Sequence, residues 1–532
     1  MNNRFSKTIR LATSKTYLDW SRKLPKSSNR SIKFLQSTSQ TVKRRASKNQ
    51  DKTRPPTGCD IEFLFFRLIE IFPVEDFNEF QDGLKKLFPT ITERKGTKDL
   101  FSTFNRETAS IDQALWQDIG TIRREVDWRA TVFGNFGQIR DLPFGIDHIS
   151  VEMIHYLPSL VVVTFDVILN ESLSEEIKKI QAAYHLGEIN LRSLLPWKVW
   201  KGYSTVESLR VQKREILRWF ESLRIDTENC LEPFFKGHFL RQKRRSKSRL
   251  PAFEVFAFKG FDASDIEKWE REDWGWFESY SFPIFGDRYG NEFFQYFPVD
   301  RLSRDTIDPS PRVGIFWEKF VDSFKSDKND PENTPDLIRM RGIEESRETF
   351  RSVTLKVAIQ SFLQSIQKQI ENLRRFTLKD SGRINKFVKQ MDVYEKVLRA
   401  SALRDRFDLE FKLQGDVVKA EMHYLSKLVY LRTTIDPKQN LFGLTVNQIE
   451  STTSLLKDHL LQIRGSFSEL VNLRDLRTNF KLQRRLWWLA IVATIATILG
   501  AIAGWPTIKE FIQDVSNIHF EKTTTSESPP KQ

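Results

Sequence analysis

His148, Glu152 and His155 are the tightest grouping of metal-capable side chains in the sequence, with Asp147 beside them. On a helix these three would share one face and could ligate a metal through imidazole and carboxylate. However, Ile149, Val151 and Met153 alternate with His148, Ser150 and Glu152, which is strand periodicity. A strand turns His155 to the face opposite His148 and Glu152. The expectation is a solvated strand face and no metal site. Cys230 and His238 could in principle act as nucleophile and base, but such partners usually meet only in the fold. Cys230 therefore reads as a small buried hydrophobe.

The phosphate-cradling GxxxxGKS/T, the dinucleotide GxGxxG, the zinc-binding HExxH and the GxSxG nucleophile elbow do not occur in the sequence. No catalytic, cofactor-binding or metal residue is expected, and the reading leans away from an enzyme. Two other clusters suit binding. Arg241, Lys243, Arg244, Arg245, Lys247 and Arg249 put six bases into nine residues, a basic loop that could meet phosphates or anionic lipid. Twelve aromatics lie between Trp269 and Phe297. Gly286 to Asn291 supplies turn chemistry between two aromatic runs, so a hairpin is expected there. Part of this region should join a core, and the remainder could form a patch for a protein partner.

These residues must be positioned by a mixed α and β region over 59–325. Asp60–Phe72 (DIEFLFFRLIEIF) reads as a buried strand and Val74–Phe88 as a short helix. Val126–Phe133, Ile146–His155, Leu160–Leu169 and Ala252–Phe258 read as strands by β-branched content and length. Ser172–Leu186 and Thr205–Leu223 read as helices. A polar stretch from Asp327 to Pro335 suggests a boundary, and 336–485 then reads as helical stalk. Ile384, Phe387, Met391, Tyr394 and Leu398 step by three and four, as do Ile449, Thr453, Leu456, Leu460, Ile463, Phe467 and Leu470. Both series are coiled-coil seams. The fold class expected is thus an α+β region with a mixed sheet, an all-helical stalk and one C-terminal transmembrane helix.

Composition sets the frame. The chain has 532 residues, 39% hydrophobic and 29% charged, too polar for a multi-pass membrane protein and too aromatic for a disordered one. Two cysteines exclude a disulfide framework. The net charge is +14, and +13 of it lies in residues 1–54, which hold 15 bases and two acids. Residues 1–57 are expected to be a disordered basic tail, either an organelle transit peptide or a segment drawn to anionic lipid. The body is almost neutral, which speaks against nucleic acid as a partner.

Leu486 to Trp505 reads LWWLAIVATIATILGAIAGW, twenty residues without a charge. At about 1.5 Å per residue this crosses about 30 Å of hydrocarbon. Trp487, Trp488 and Trp505 stand where interfacial aromatics belong, and Arg484 and Arg485 anchor one end. Bases crowd the N-terminal flank, whereas Lys509 is the one base among residues 506–520. The positive-inside rule therefore places the N-terminal body in the cytoplasm, or in a matrix or stroma if the tail is a transit peptide. No apolar run follows Met1, so a cleavable secretory leader is not expected. Residues 506–532 read as a short polar tail. Ala496, Gly500 and Gly504 recur every four residues, a small-residue face along which two spans could pack, and a homo-oligomer is expected.

The order of these parts resembles a subunit of the CorA-type magnesium channels. There, a cytoplasmic α/β domain is followed by helices and a long helix entering the membrane. The likeness in residues covers about 445–505, with LAIVATIATILGAIAGW looking like a first membrane helix. Where that family has Gly-Met-Asn, this chain has Gly504-Trp505-Pro506, and no second apolar span follows. The resemblance implies ion transport as one alternative, and an anchored enzyme of unknown substrate is another. The leading expectation is a single-pass membrane protein that senses, scaffolds or recruits without catalysis.

Overall fold

A computed structural model describes residues 55–88, 115–125, 136–182, 188–191, 203–206, 208–246, 249–272, 276–277, 280, 282, 288–298, 310–324, 346–379, 387–431 and 440–521. It places a first unit in Met1–Asn372 with Arg399–Leu456, and a second in Leu373–Leu398 with Lys457–Gln532. The basic tail 1–54 and the expected strand Val126–Phe133 lie outside the described residues.

The first unit is built on strand β1 (Asp60–Pro73), buried without interruption from Phe63 to Pro73. A strand covered on one face alternates in burial, so continuous burial means that both faces are packed. Helix α1 (Phe77–Leu87) follows, then β2 (Leu115–Arg123), β3 (Phe136–Gln138), β4 (Ile146–Leu157) and β5 (Leu160–Leu169). Next come α2 (Glu171–Ala182), β6 (Glu188–Leu191), β7 (Tyr203–Val206), α3 (Ser208–Leu231), α4 (His238–Ser246), β8 (Ala252–Lys259) and α5 (Ala263–Glu272). The series continues with β9 (Tyr289–Gly290), β10 (Phe294–Phe297), β11 (Arg312–Phe316), α6 (Trp317–Phe324) and α7 (Arg347–Lys379). It ends in α8 (Phe387–Glu421), β12 (Val429–Tyr430) and α9 (Leu441–Glu521).

Ten strands form one mixed sheet in the order β12-β9-β10-β11-β8-β1-β5-β4-β2-β3, and β6 pairs with β7 separately. The β8–β11 and β2–β3 pairs are parallel and the others antiparallel. β1 is central, pairing β8 on one side and β5 on the other. A bulge between Phe63 and Phe65 breaks the alternation, so that residues two apart there meet different helices. Phe63 packs on Phe220 of α3 and Phe72 on Phe80 of α1, whereas Phe65 packs on Phe350 of α7.

Several expectations need correction. Residues 203–206 are a strand, with the helix beginning at Ser208, because Tyr203–Val206 finds a partner in Glu188–Leu191. The helices after residue 346 do not all stand apart from the sheet: the Arg347–Asn372 part of α7 belongs to the first unit and its Thr354 bonds Arg67 of β1. In the aromatic region the hairpin turns at Asn291, whose Oδ1 accepts the N–H groups of Phe293 and Phe294. The chain stays helical past Pro506 to Glu521.

The second seam also finds its cover within one chain. Ile449, Thr453, Leu456, Leu460 and Ile463 are all buried. Within the first unit α8 reaches this helix at Thr453, whose carbonyl accepts from Arg404 Nη2 at 3.3 Å. The side chains of Phe467 and Leu470, and of the other seam from Ile384 to Tyr394, lie outside the described residues.

Candidate functional site

The one helical stretch long and apolar enough to cross a membrane is Asn479–Gly500 of α9, among the described residues, and none of its most apolar window is buried. Leu486, Trp487, Trp488, Leu489, Val492, Ile495, Ile498 and Leu499 are each half or more exposed. Monomeric soluble proteins rarely show so many contiguous apolar side chains to water. The two hydroxyls in the stretch turn inward on their own helix. Thr494 Oγ1 donates to the Ala490 carbonyl and Thr497 Oγ1 to that of Ala493, both at 2.8 Å. Ala496 and Gly500 are exposed, and a Cβ added at Gly500 would meet no atom within 4 Å. Gly504 and Trp505 continue the helix, with side chains outside the described residues. Arg484 and Arg485 are exposed beside Trp487 and Trp488, whose rings meet edge to face at 5.9 Å.

Arg241 to Ser246 of the basic segment form helix and not a loop. His238–Ser246 is helical, and its outer bases are partly committed. Arg241 pairs with Asp76 at 2.6 Å and Glu79 at 2.7 Å, and Arg249 pairs with Glu221. The side chains of Lys243, Arg244, Arg245 and Lys247 lie outside the described residues. In the aromatic region, Trp276, Phe277, Tyr280, Phe282, Tyr289, Phe294, Tyr296 and Phe297 are all buried. They pack on the sheet, with Phe282 4.8 Å from Phe297 and 5.0 Å from Phe256. Eight of the region's twelve rings are therefore core.

The grouping around β4 also differs from expectation. It is a strand, but Glu152 and His155 are buried instead of solvated. Helices cover both faces of the sheet here, and burial pushes the His155 imidazole down to about 4. His148 bonds Asp147 at 2.6 Å. Glu152 turns to the Arg67 guanidinium, which forks onto both oxygens of Asp166 and also reaches Glu152 at 3.4 Å and Thr354 at 3.0 Å. Burial alone would lower the Arg67 pKa, but the two carboxylates outweigh it and the net direction is upward. Arg67 and Asp166 are direct cross-strand partners on β1 and β5.

A second buried constellation lies three residues further along β1. Glu70 is fully buried and accepts the N–H groups of Phe239, Leu240 and Ile71 at 2.8–2.9 Å. It thus supplies, from another element, the acceptors that the first turn of α4 lacks. Burial pushes its carboxyl up to about 8, against the pull of those three N–H groups and with Glu228 adding to the rise. His238 meets Ser365 of α7 at 2.9 Å and Gln242 at 2.8 Å, and burial pushes it down to about 4. Ser365 donates to Gln242 Oε1 at 2.9 Å. Cys230 instead donates to the Asp141 carbonyl at 3.0 Å, so Cys230 and His238 are not brought together as a dyad.

Two further buried carboxylates are paired. Arg312 meets Glu254 at 2.8 Å, and Glu228 receives Arg224 at 3.3 Å and the Leu250 N–H at 3.1 Å. Among the described residues, no group of three or more His, Cys, Asp or Glu side chains could hold a metal ion. These contacts tie strands to one another and to helices. The exposed feature with unmet chemistry is the apolar helix. Compared with protein-family models, curated proteins and solved structures, the chain matches none.

Proposed function

We propose that the chain is an integral membrane protein held by one span, Leu486–Trp505, with its N-terminal body in the cytoplasm or the equivalent organelle compartment. Its role on this reading is sensing, scaffolding or recruitment at the membrane without catalysis. The observation that carries it is the exposed apolar helix: eight large apolar side chains between Leu486 and Leu499 have no cover, and hydrocarbon would supply it. The in-helix bonds of Thr494 and Thr497 add support, because hydroxyls in lipid must find partners on their own helix or a neighbouring one. The same bonds commit the span's two polar side chains, so they do not favour a water-filled conduction path. The small-residue face at Ala496, Gly500 and Gly504 would let two spans pack closely as a homo-oligomer.

Alkaline carbonate extraction and tag accessibility test this reading. The full chain should stay with membranes at high pH, and tags after Lys52 and after Gln532 should report opposite sides. Release of the protein by carbonate, or two tags on one side, would reject the single span.

A further inference from the structure

The turn of α9 that precedes the span is amphipathic in an unusual sense. Lys481, Arg484, Arg485 and Trp488 fall at i, i+3, i+4 and i+7 and so share one helix face. Phe480, Leu482, Leu486 and Trp487 lie off that face and are 75%, 52%, 60% and 62% exposed. All three cations are exposed, and no acidic side chain among the described residues pairs with them. From Lys481 to Arg485 the helix rises about 6 Å. A bilayer adds about 5–7 Å of headgroup layer to each side of its hydrocarbon. If hydrocarbon begins at Leu486, the three cations occupy the depth of the lipid phosphates, and the Trp488 indole sits just below them.

Resting on the membrane reading, we infer that the Lys481–Arg484–Arg485–Trp488 face binds the headgroup of an anionic phospholipid in the leaflet on the N-terminal side of the span. Charge complementarity selects the occupant: a zwitterionic headgroup neutralises no cation, whereas an anionic one gains from each base held near it. The guanidiniums can fork onto phosphate oxygens. Gathering the cations on one face makes a site for one lipid and not a uniform collar. Leu486 and Trp487 hold that face at the interface, because their exposure is relieved by acyl chains.

The test uses the full chain in phosphatidylcholine vesicles carrying a trace of spin-labelled phosphatidylserine or spin-labelled phosphatidylcholine. The wild type should prefer the labelled phosphatidylserine by about fivefold or more. Lys481→Gln with Arg484→Gln and Arg485→Gln should lower that ratio by about fivefold, with both proteins still resistant to carbonate extraction. A wild type without preference, or a variant with undiminished preference, overturns the lipid site while the span stands. A wild type extracted by carbonate overturns the span and the lipid site together. Soluble glycerol phosphate should not displace the labelled lipid. If it does so completely, the face is a site for free phosphate and the lipid assignment is wrong.

Discussion

Removing the Arg67 guanidinium would strand two buried carboxylates, Asp166 and Glu152, between a helix layer and the sheet. Breaking a buried pair by deleting one partner costs about 3–5 kcal/mol, because the remaining charge has lost its compensation. Arg67→Met should therefore lower the unfolding free energy of the full chain in detergent by about 3–5 kcal/mol, read from denaturant midpoints. A midpoint equal to the wild type's would mean that the pairing contributes nothing. Part of this was legible: Arg67 interrupts FLFFRLIEIF and Asp166 interrupts LVVVTFDVIL, each a charge inside an apolar run. Such a charge must be paired when buried. The pairing itself was not legible, because it depends on the register of β1 against β5 across 99 residues of chain. The His148, Glu152 and His155 grouping failed for a related reason. Alternation in β4 gave the strand and its faces, but a second helical layer covers the face that was read as solvated.

Helix α4 shows what an element borrows from its neighbours. Its sequence supplies bases, but the acceptor for its first turn is Glu70, brought close because residue 237 is glycine. A Cβ on Gly237 would lie 2.6 Å from Glu70 side-chain atoms. The shifted groups around it give a pH dependence whose sign can be worked out. Glu70 rises from 4.5 to about 8, so the folded state holds that proton more tightly, and stability falls as pH rises through that window. His155 and His238 fall from 6.5 to about 4, so their contribution rises with pH between those limits. The two effects oppose below pH 6.5, and above it the Glu70 carboxyl alone of these three sets the slope. The expected outcome is a maximum near neutrality and a loss of about 2 kcal/mol between pH 6.5 and 8. Thermal unfolding of Glu70→Gln over that range should be distinctly flatter. An identical slope would assign the loss to other groups.

At the scale of the whole molecule, the periodicity of α9 was legible and its partner was not. Steps of three and four from Ile449 predict a buried stripe whoever covers it, since a seam records what must be hidden and not what hides it. Ile449, Thr453 and Leu456 are buried within the first unit, where α8 reaches the Thr453 carbonyl. From Ile449 to Ile463 the seam is buried without a second copy, and association of spans rests on the face at Ala496, Gly500 and Gly504. The sheet was legible only as strands: its order brings β8 and β11 together in parallel and places β1 between chain-distant partners. The consequence is testable at Leu456, which is fully buried. Leu456→Ala should cost about 2–5 kcal/mol, the range for a truncated core leucine. That cost should stay constant when the protein in detergent is diluted about a hundredfold, because a contact within one chain has no dependence on concentration. A cost that shrinks on dilution would mean that a second copy fills the seam, and the helix would then be a true intermolecular coiled coil.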